Sequence, residues 1–185
     1  MAGGVALDLG CGGGHVAYRV APHMARMVAT DLSPRMLAAV TAEAARRGLG
    51  TIETREAPAE ALPFDDQSFD LSLCRFSAHH WRDLDAGLAE ARRVTKAGGR
   101  GVFVDVVAPA DPLLDTHLQA VELLRDPSHV RDYRLDEWLA ALGRAGFEAT
   151  GVATHRLPMV FDDWTARMAT PPVHVAAIRA LQQGT

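Results

Sequence analysis

Among the 185 residues, the run Val5-Ala6-Leu7-Asp8-Leu9-Gly10-Cys11-Gly12-Gly13-Gly14 constrains the fold most. A short apolar stretch reads as a buried strand, interrupted by one acid and broken by glycines. The helix-compatible segment His15 to Val20 follows at once. Strand, glycine turn and helix in succession make a nucleotide-binding element of an open α/β sheet. Glycines permit tight backbone conformations and let main-chain N–H groups come close to a ligand. Asp8 then narrows the choice of ligand. A pyrophosphate would be repelled by a carboxylate two residues before the first glycine. A ligand carrying an ammonium and a sulfonium suits that position, and S-adenosylmethionine is such a ligand.

Glycine spacing alone leaves a second choice open. Gly12-Gly13-Gly14-His15-Val16-Ala17 also fits the dinucleotide pattern G-x-G-x-x-A, so NAD stays as an alternative. Met27-Val28-Ala29-Thr30-Asp31 reads as a second strand whose terminal acid suits the ribose hydroxyls of either cofactor. The plainer role for Asp31 is a turn or cap acid, although Ser33-Pro34 already supplies the cap and first turn of the next helix.

A third block breaks the tie. Ala59-Glu60-Ala61-Leu62-Pro63-Phe64-Asp65-Asp66-Gln67-Ser68-Phe69-Asp70 runs into the apolar strand Leu71 to Phe76. Together with Asp8-Leu9-Gly10-Cys11-Gly12 and Thr30-Asp31-Leu32-Ser33, it resembles the class I S-adenosylmethionine-dependent methyltransferases of the ubiquinone/menaquinone C-methyltransferase type. Ala78-His79-His80-Trp81 and the run Glu90 to Arg100 match as well, and Ser77 to Trp81 with Asp126 to Tyr133 is most similar to the YafE-like group. The resemblance implies S-adenosylmethionine as cofactor and a small-molecule methyl acceptor. It places Gly10, Gly12 and Gly14 against the methionine moiety, with Asp8 holding the loop or the ammonium. It places Asp31 at the ribose, Leu32 on adenine, Pro58 and Ala59 beside adenine, and Arg75 at a backbone contact with the cofactor. The family carries Asp or Asn where this chain has Pro58, which leaves the Ala59 N–H and Glu56 to meet adenine.

On the acceptor side, His79 and His80 follow the fourth strand and Asp105 lies near the end of the fifth; each is a candidate proton acceptor, with a structural role as the plainer alternative. His129, Arg131 and Tyr133 are candidates for a polar lid over an anionic or phenolic acceptor. A module that binds cofactor without catalysis is the rival from another class. An NAD(P)-dependent oxidoreductase is a further rival, though no separate substrate domain accompanies the glycine loop.

A formal net charge of −4 argues against a nucleic-acid partner, which wants a basic face. Cys11 and Cys74 suggest neither a disulfide framework nor a zinc cluster, so no metal site is expected. No signal peptide and no bilayer-spanning run is evident, which makes the cytoplasm the default expectation.

Alternating strand and helix signals across residues 1–185 predict one doubly wound, mainly parallel Rossmann-like sheet with helices on both faces. Strands are expected at Val5 to Leu9, Met27 to Thr30, Thr51 to Arg55, Phe69 to Phe76, Gly101 to Val107 and Phe147 to Leu157, in the spatial order 3-2-1-4-5-6. Helices are expected at Pro34 to Arg47, Leu84 to Val94, Asp111 to Leu124, Asp136 to Ala145, Asp162 to Met168 and Val173 to Gln182. Beside the family, both ends read as short and the antiparallel seventh strand is missing. The unfilled edge this leaves invites a homo-oligomer.

Overall fold

The computed structural model describes residues 3–183. Its main sheet holds β1 (Val5–Leu9), β2 (Arg26–Asp31), β3 (Ile52–Glu56), β4 (Phe69–Arg75) and β5 (Thr95–Val104), in the order β3-β2-β1-β4-β5. Every neighbouring pair is parallel. Growth reverses between β1 and β4, and that switch point opens a crevice at the carboxyl ends of the strands. Leu9 pairs with Thr30 on one side and Cys74 on the other, so the residues that follow β1, β2 and β4 emerge together.

β1 is buried on both faces, as a central parallel strand must be: Ala6, Leu7, Asp8 and Leu9 are each at most 1% exposed. Leu7 and Leu9 face a core shared with α3 (Leu84–Val94) and α5 (Leu135–Ala145). Ala6 faces the other core, shared with α1 (His15–Val20) and α2 (Pro34–Arg46). Local chemistry starts these helices where the sequence indicates. The Ser33 hydroxyl accepts from the Met36 N–H at 3.3 Å ahead of Pro34, and the Asp83 carboxylate accepts from Ala86 at 3.0 Å. Arg93 then fastens the segment before β4 to α3, donating to the carbonyls of Phe64 (2.7 Å) and Leu62 (2.9 Å).

Two expectations need correction. β5 starts at Thr95, because Phe69 pairs with Thr95 and Leu71 with Arg100 while residues 96–99 bulge out around Gly98. It also ends at Val104, and Val107–Ala108 (β6) forms a separate small parallel pair with Tyr133–Arg134 (β7). The expected sixth strand is absent. Residues 147–160 have no regular structure, and 148–160 are exposed. A strand needs a partner for its ladder, and 147–157 pairs with no described strand, so alternation in sequence cannot make it one. Phe147 turns inward, its N–H donating to the Leu142 carbonyl at 2.9 Å and its ring meeting Phe103 at 5.5 Å. The spatial order 3-2-1-4-5 holds for the first five strands.

Beyond β6, α4 (Pro112–Arg125), α6 (Phe161–Arg167) and α7 (Pro172–Gln183) gather round Val121, Trp164 and Ile178. The His174 Nδ1–H donates to the Leu124 carbonyl at 2.8 Å and the Thr170 hydroxyl to the Arg125 carbonyl at 2.9 Å, tying the C-terminal helices to α4.

Gly87 lies inside α3, and a Cβ there would come within 2.4 Å of the Trp81 ring. Alanine ordinarily favours a helix interior by about 1 kcal/mol over glycine. Overpacking of a buried indole costs about 1–3 kcal/mol and outweighs that gain. Gly87→Ala is therefore expected to lower the urea midpoint; an unchanged or raised midpoint would show that Trp81 moves aside freely.

Candidate active site

The glycine turn after β1 is held from three directions. The Cys11 N–H donates to the Thr30 carbonyl at 2.8 Å, and the Gly12 N–H donates to Asp31 Oδ2 at 2.8 Å. Gly10 sits at φ +64°, and a Cβ there would lie 1.7 Å from Ser77 Oγ, so the turn presses directly on the segment after β4. Below the turn, Asp8 Oδ2 accepts from the Ala17 N–H at 3.2 Å and braces the start of α1. Asp8 is buried, and burial pushes its carboxyl up to about 7 against the lowering effect of that bond, with the Asp31 charge adding to the rise. Its place is beneath the loop.

The upper side of the turn is open. Nothing lies within 4 Å of where a Gly12 side chain would begin, so a ligand can lie against bare backbone there. Asp31 stands beside it, its Oδ1 accepting from the Ser33 N–H at 2.9 Å, and each oxygen keeps further acceptor capacity. Leu32, next along, is 67% exposed although apolar. The Ala57 N–H donates to the Asp31 carbonyl at 3.3 Å, which brings exposed Pro58 and buried Ala59 towards the same rim. Arg75 closes β4 with its guanidinium 4.5 Å from the Phe76 ring, and Phe76 takes a left-handed φ of +53°. An open glycine turn, a carboxylate at the end of β2 and an exposed apolar neighbour fit an adenosyl ligand.

A second cluster stands after β4 and β5. His79 Nδ1 lies 2.5 Å from Asp105 Oδ1, and the His79 backbone N–H donates to Asp105 Oδ2 at 3.3 Å. Asp105 Oδ1 also accepts from Val106 at 2.9 Å, so the bend that ends β5 orients the carboxylate. Asp132 approaches from another side, its Oδ1 4.0 Å from His79 Nδ1, and its buried Oδ2 has no hydrogen-bond partner. Burial alone would lower the His79 pKa, but the Asp105 bond and charge, with Asp132, outweigh it and raise the value. The carboxyl of Asp132 is pushed up to about 7, by burial first, with the Glu122 and Asp105 charges adding and His79 opposing.

His80 turns to Ser128, its Nδ1 3.1 Å from that carbonyl, and its Nε2 is 3.9 Å from Asp126. His129 is buried with its Nε2 3.0 Å from Gln119 Oε1, and burial together with the His79 and His80 charges lowers it to about 4. It packs behind His79, with ring centres 5.7 Å apart. Arg131 pairs with Asp115 at 3.1 Å and Glu137 at 3.4 Å. Tyr133 instead lines a groove of about 420 Å³ with Arg82, Glu137 and Arg144. The lid candidates thus separate: His129 backs the cluster, Arg131 anchors it to α4 and α5, and Tyr133 looks elsewhere. Sequence reasoning missed Asp132 and Gln119. A polar run between two helices, Asp126 to Tyr133, was the available signal.

The methyltransferase domain family matches residues 7–103. The chain belongs to that family. It is 45% identical over 170 residues to the uncharacterized protein YafE of Escherichia coli, covering 92% of this chain and 82% of YafE. It is 36% identical over 165 residues to the uncharacterized methyltransferase YcgJ of Bacillus subtilis, covering 89% of this chain and 65% of YcgJ. The crystal structure of YcgJ superposes with a TM-score of 0.94 at 34% identity, covering 97% of this chain and 77% of that one. This places the chain among class I S-adenosylmethionine-dependent methyltransferases of the YafE/UbiE-like kind, and the dinucleotide alternative gives way. No helix among the described residues of this methyltransferase is long and apolar enough to cross a membrane.

Asp8 generates a prediction with a definite sign. Its folded pKa, about 7, exceeds the ordinary 3.8, so the folded state binds the extra proton between those values. Stability from this group is fully present below pH 4 and is lost as pH rises to about 7. Asp8→Asn keeps an acceptor for Ala17 and removes the charge. At pH 8 it is expected to be more stable than the parent by ~1–4 kcal/mol, read as a higher urea midpoint, with the difference gone near pH 4. A variant less stable at pH 8 would contradict this origin.

Proposed function

We propose that this methyltransferase alkylates a small-molecule acceptor, with His79 as proton acceptor and Asp105 as the group that orients it. The observation carrying the proposal is the 2.5 Å His79–Asp105 contact, placed after β4 across the switch point from the Gly10 turn. With Nδ1–H donating to Asp105, Nε2 is left as the base, and the adjacent carboxylate stabilises the imidazolium formed. When bound, S-adenosylmethionine supplies an electrophilic methyl group on a sulfonium, and in-line displacement then needs mainly positioning. Gly10, Gly12 and Gly14 would offer backbone to its methionine end. Asp31 would accept from the ribose, Leu32 would cover adenine, Ala59 would meet the adenine edge past Pro58, and Arg75 would close the rim. His80 and the His129 loop would border the acceptor. A net charge of −4 supports a small acceptor over a nucleic acid.

Two measurements test this reading. S-adenosylhomocysteine is expected to raise the melting temperature and NADH to leave it unchanged, because only a ligand of the folded state stabilises it. Asp31→Ala should weaken that binding by ~1–3 kcal/mol, as the ribose loses a charged acceptor. Full affinity in Asp31→Ala would remove Asp31 from the cofactor site.

With an acceptor found by screening, kcat/KM should rise with pH through a midpoint above the usual histidine value of about 6.5. Asp105→Asn should move that midpoint down, and His79→Gln should cost about 10²–10⁴-fold. Unaltered turnover in His79→Gln would transfer the proton to another group. Cofactor binding without turnover for any acceptor would favour the non-catalytic module.

A further inference from the structure

His79, Asp105 and Asp132 come from three separate connections, yet one ligand atom from each lies within 4.8 Å of the others. Their side chains are 13%, 2% and 1% exposed, so these are not the solvated acids of a surface cluster. Two carboxylates share one imidazole. Even an imidazolium would leave one negative charge unmatched, and burial makes such a charge costly. Neighbouring groups are already engaged: Arg125 pairs with Glu122 at 2.7 Å, and Asp126 accepts from Ser128. His80 and His129 flank the cluster without a contact to Asp132 Oδ2, a buried oxygen that no donor reaches.

We propose that His79, Asp105 and Asp132 form a site for one divalent first-row metal ion. Neutral imidazole and two carboxylates balance a dication completely. One nitrogen and two oxygens suit Zn2+ or Mn2+, and three protein ligands leave a position for water. Ligand distances of about 2.0–2.2 Å require His79 and Asp105 to part slightly and Asp132 to swing in. The ion takes the place of the hydrogen between Nδ1 and Oδ1, and that proton leaves to solvent. A metal on Nδ1 keeps the hydrogen on Nε2, so the base role proposed for His79 belongs to the ion-free cluster and the loaded cluster is its inactive alternative.

The inference is independent of methyl transfer, because uptake is read without cofactor or acceptor. The 185-residue protein stripped with EDTA is titrated with Zn2+ alone in a calorimeter, with Mn2+ in a parallel run. The expected result is one ion per chain for the parent and at least tenfold weaker uptake in Asp132→Asn and in His79→Gln. Asp132→Asn keeps the side-chain shape and removes a buried charge, and thermal melts confirm that both variants fold. A parent that takes up neither ion at millimolar concentration would overturn the site, leaving a protonated Asp132 as the resolution of the charge. Equal uptake by parent and Asp132→Asn would place any bound ion elsewhere.

Discussion

The bond from the Gly12 N–H to Asp31 Oδ2 is the constraint on which the glycine turn of this methyltransferase depends. A turn made mostly of glycines has little side chain with which to hold itself, and several of its residues occupy left-handed backbone. Its shape is imposed by neighbours. Parallel register sets Leu9 opposite Thr30, so the turn after β1 must meet the carboxylate that closes β2. The same carboxylate accepts from Ser33 and thereby starts α2 beside the turn. One acid fixes a loop, a strand end and a helix entry.

Three buried or nearly buried carboxylates show how differently one group can be accommodated. Asp8 receives a single backbone N–H and is left with a raised pKa under the loop. Asp105 receives two backbone N–H groups and an imidazole, which hold its carboxylate in one orientation. Asp132 has an oxygen with no donor at all. The three run from a carboxylate that braces the sheet's first helix to one beside His79 with a buried oxygen left unmatched.

The two halves of the site are also built differently. Backbone turns at the ends of β1 and β2 make the proposed cofactor side, so sheet register positions them. Side chains from the segments after β4, after β5 and after α4 make the His79 cluster, the proposed acceptor side. Backbone bonds stitch those segments together, with the Val130 and Arg131 N–H groups donating to the His79 carbonyl at 2.8 and 3.1 Å. The helical group around Val121, Trp164 and Ile178 stands behind α4 and stiffens that side.

Most of the fold was legible in the residues, because its signals are local. Apolar runs ending in Asp31 or broken at Gly10, the Ser33-Pro34 start and the Gly146 stop each state an element and its boundary within a few positions. The glycine turn and Asp31 were legible for the same reason, being adjacent to the strands that place them. Residues 147–157 misled because alternation indicates a strand only where a partner edge exists, and pairing is a property of the whole sheet. Asp132 was unreadable for a related reason. It lies far along the chain from His79, in a short polar loop whose composition says nothing about direction. By itself the sequence determined most of the elements, the five-strand order and the glycine turn after β1, since propensity, capping and right-handed crossover are settled locally. Only the tertiary structure decided that Asp8 lies under the loop, that Tyr133 leaves the site, and that His79 stands between two carboxylates, because burial and distance belong to segments brought together by packing.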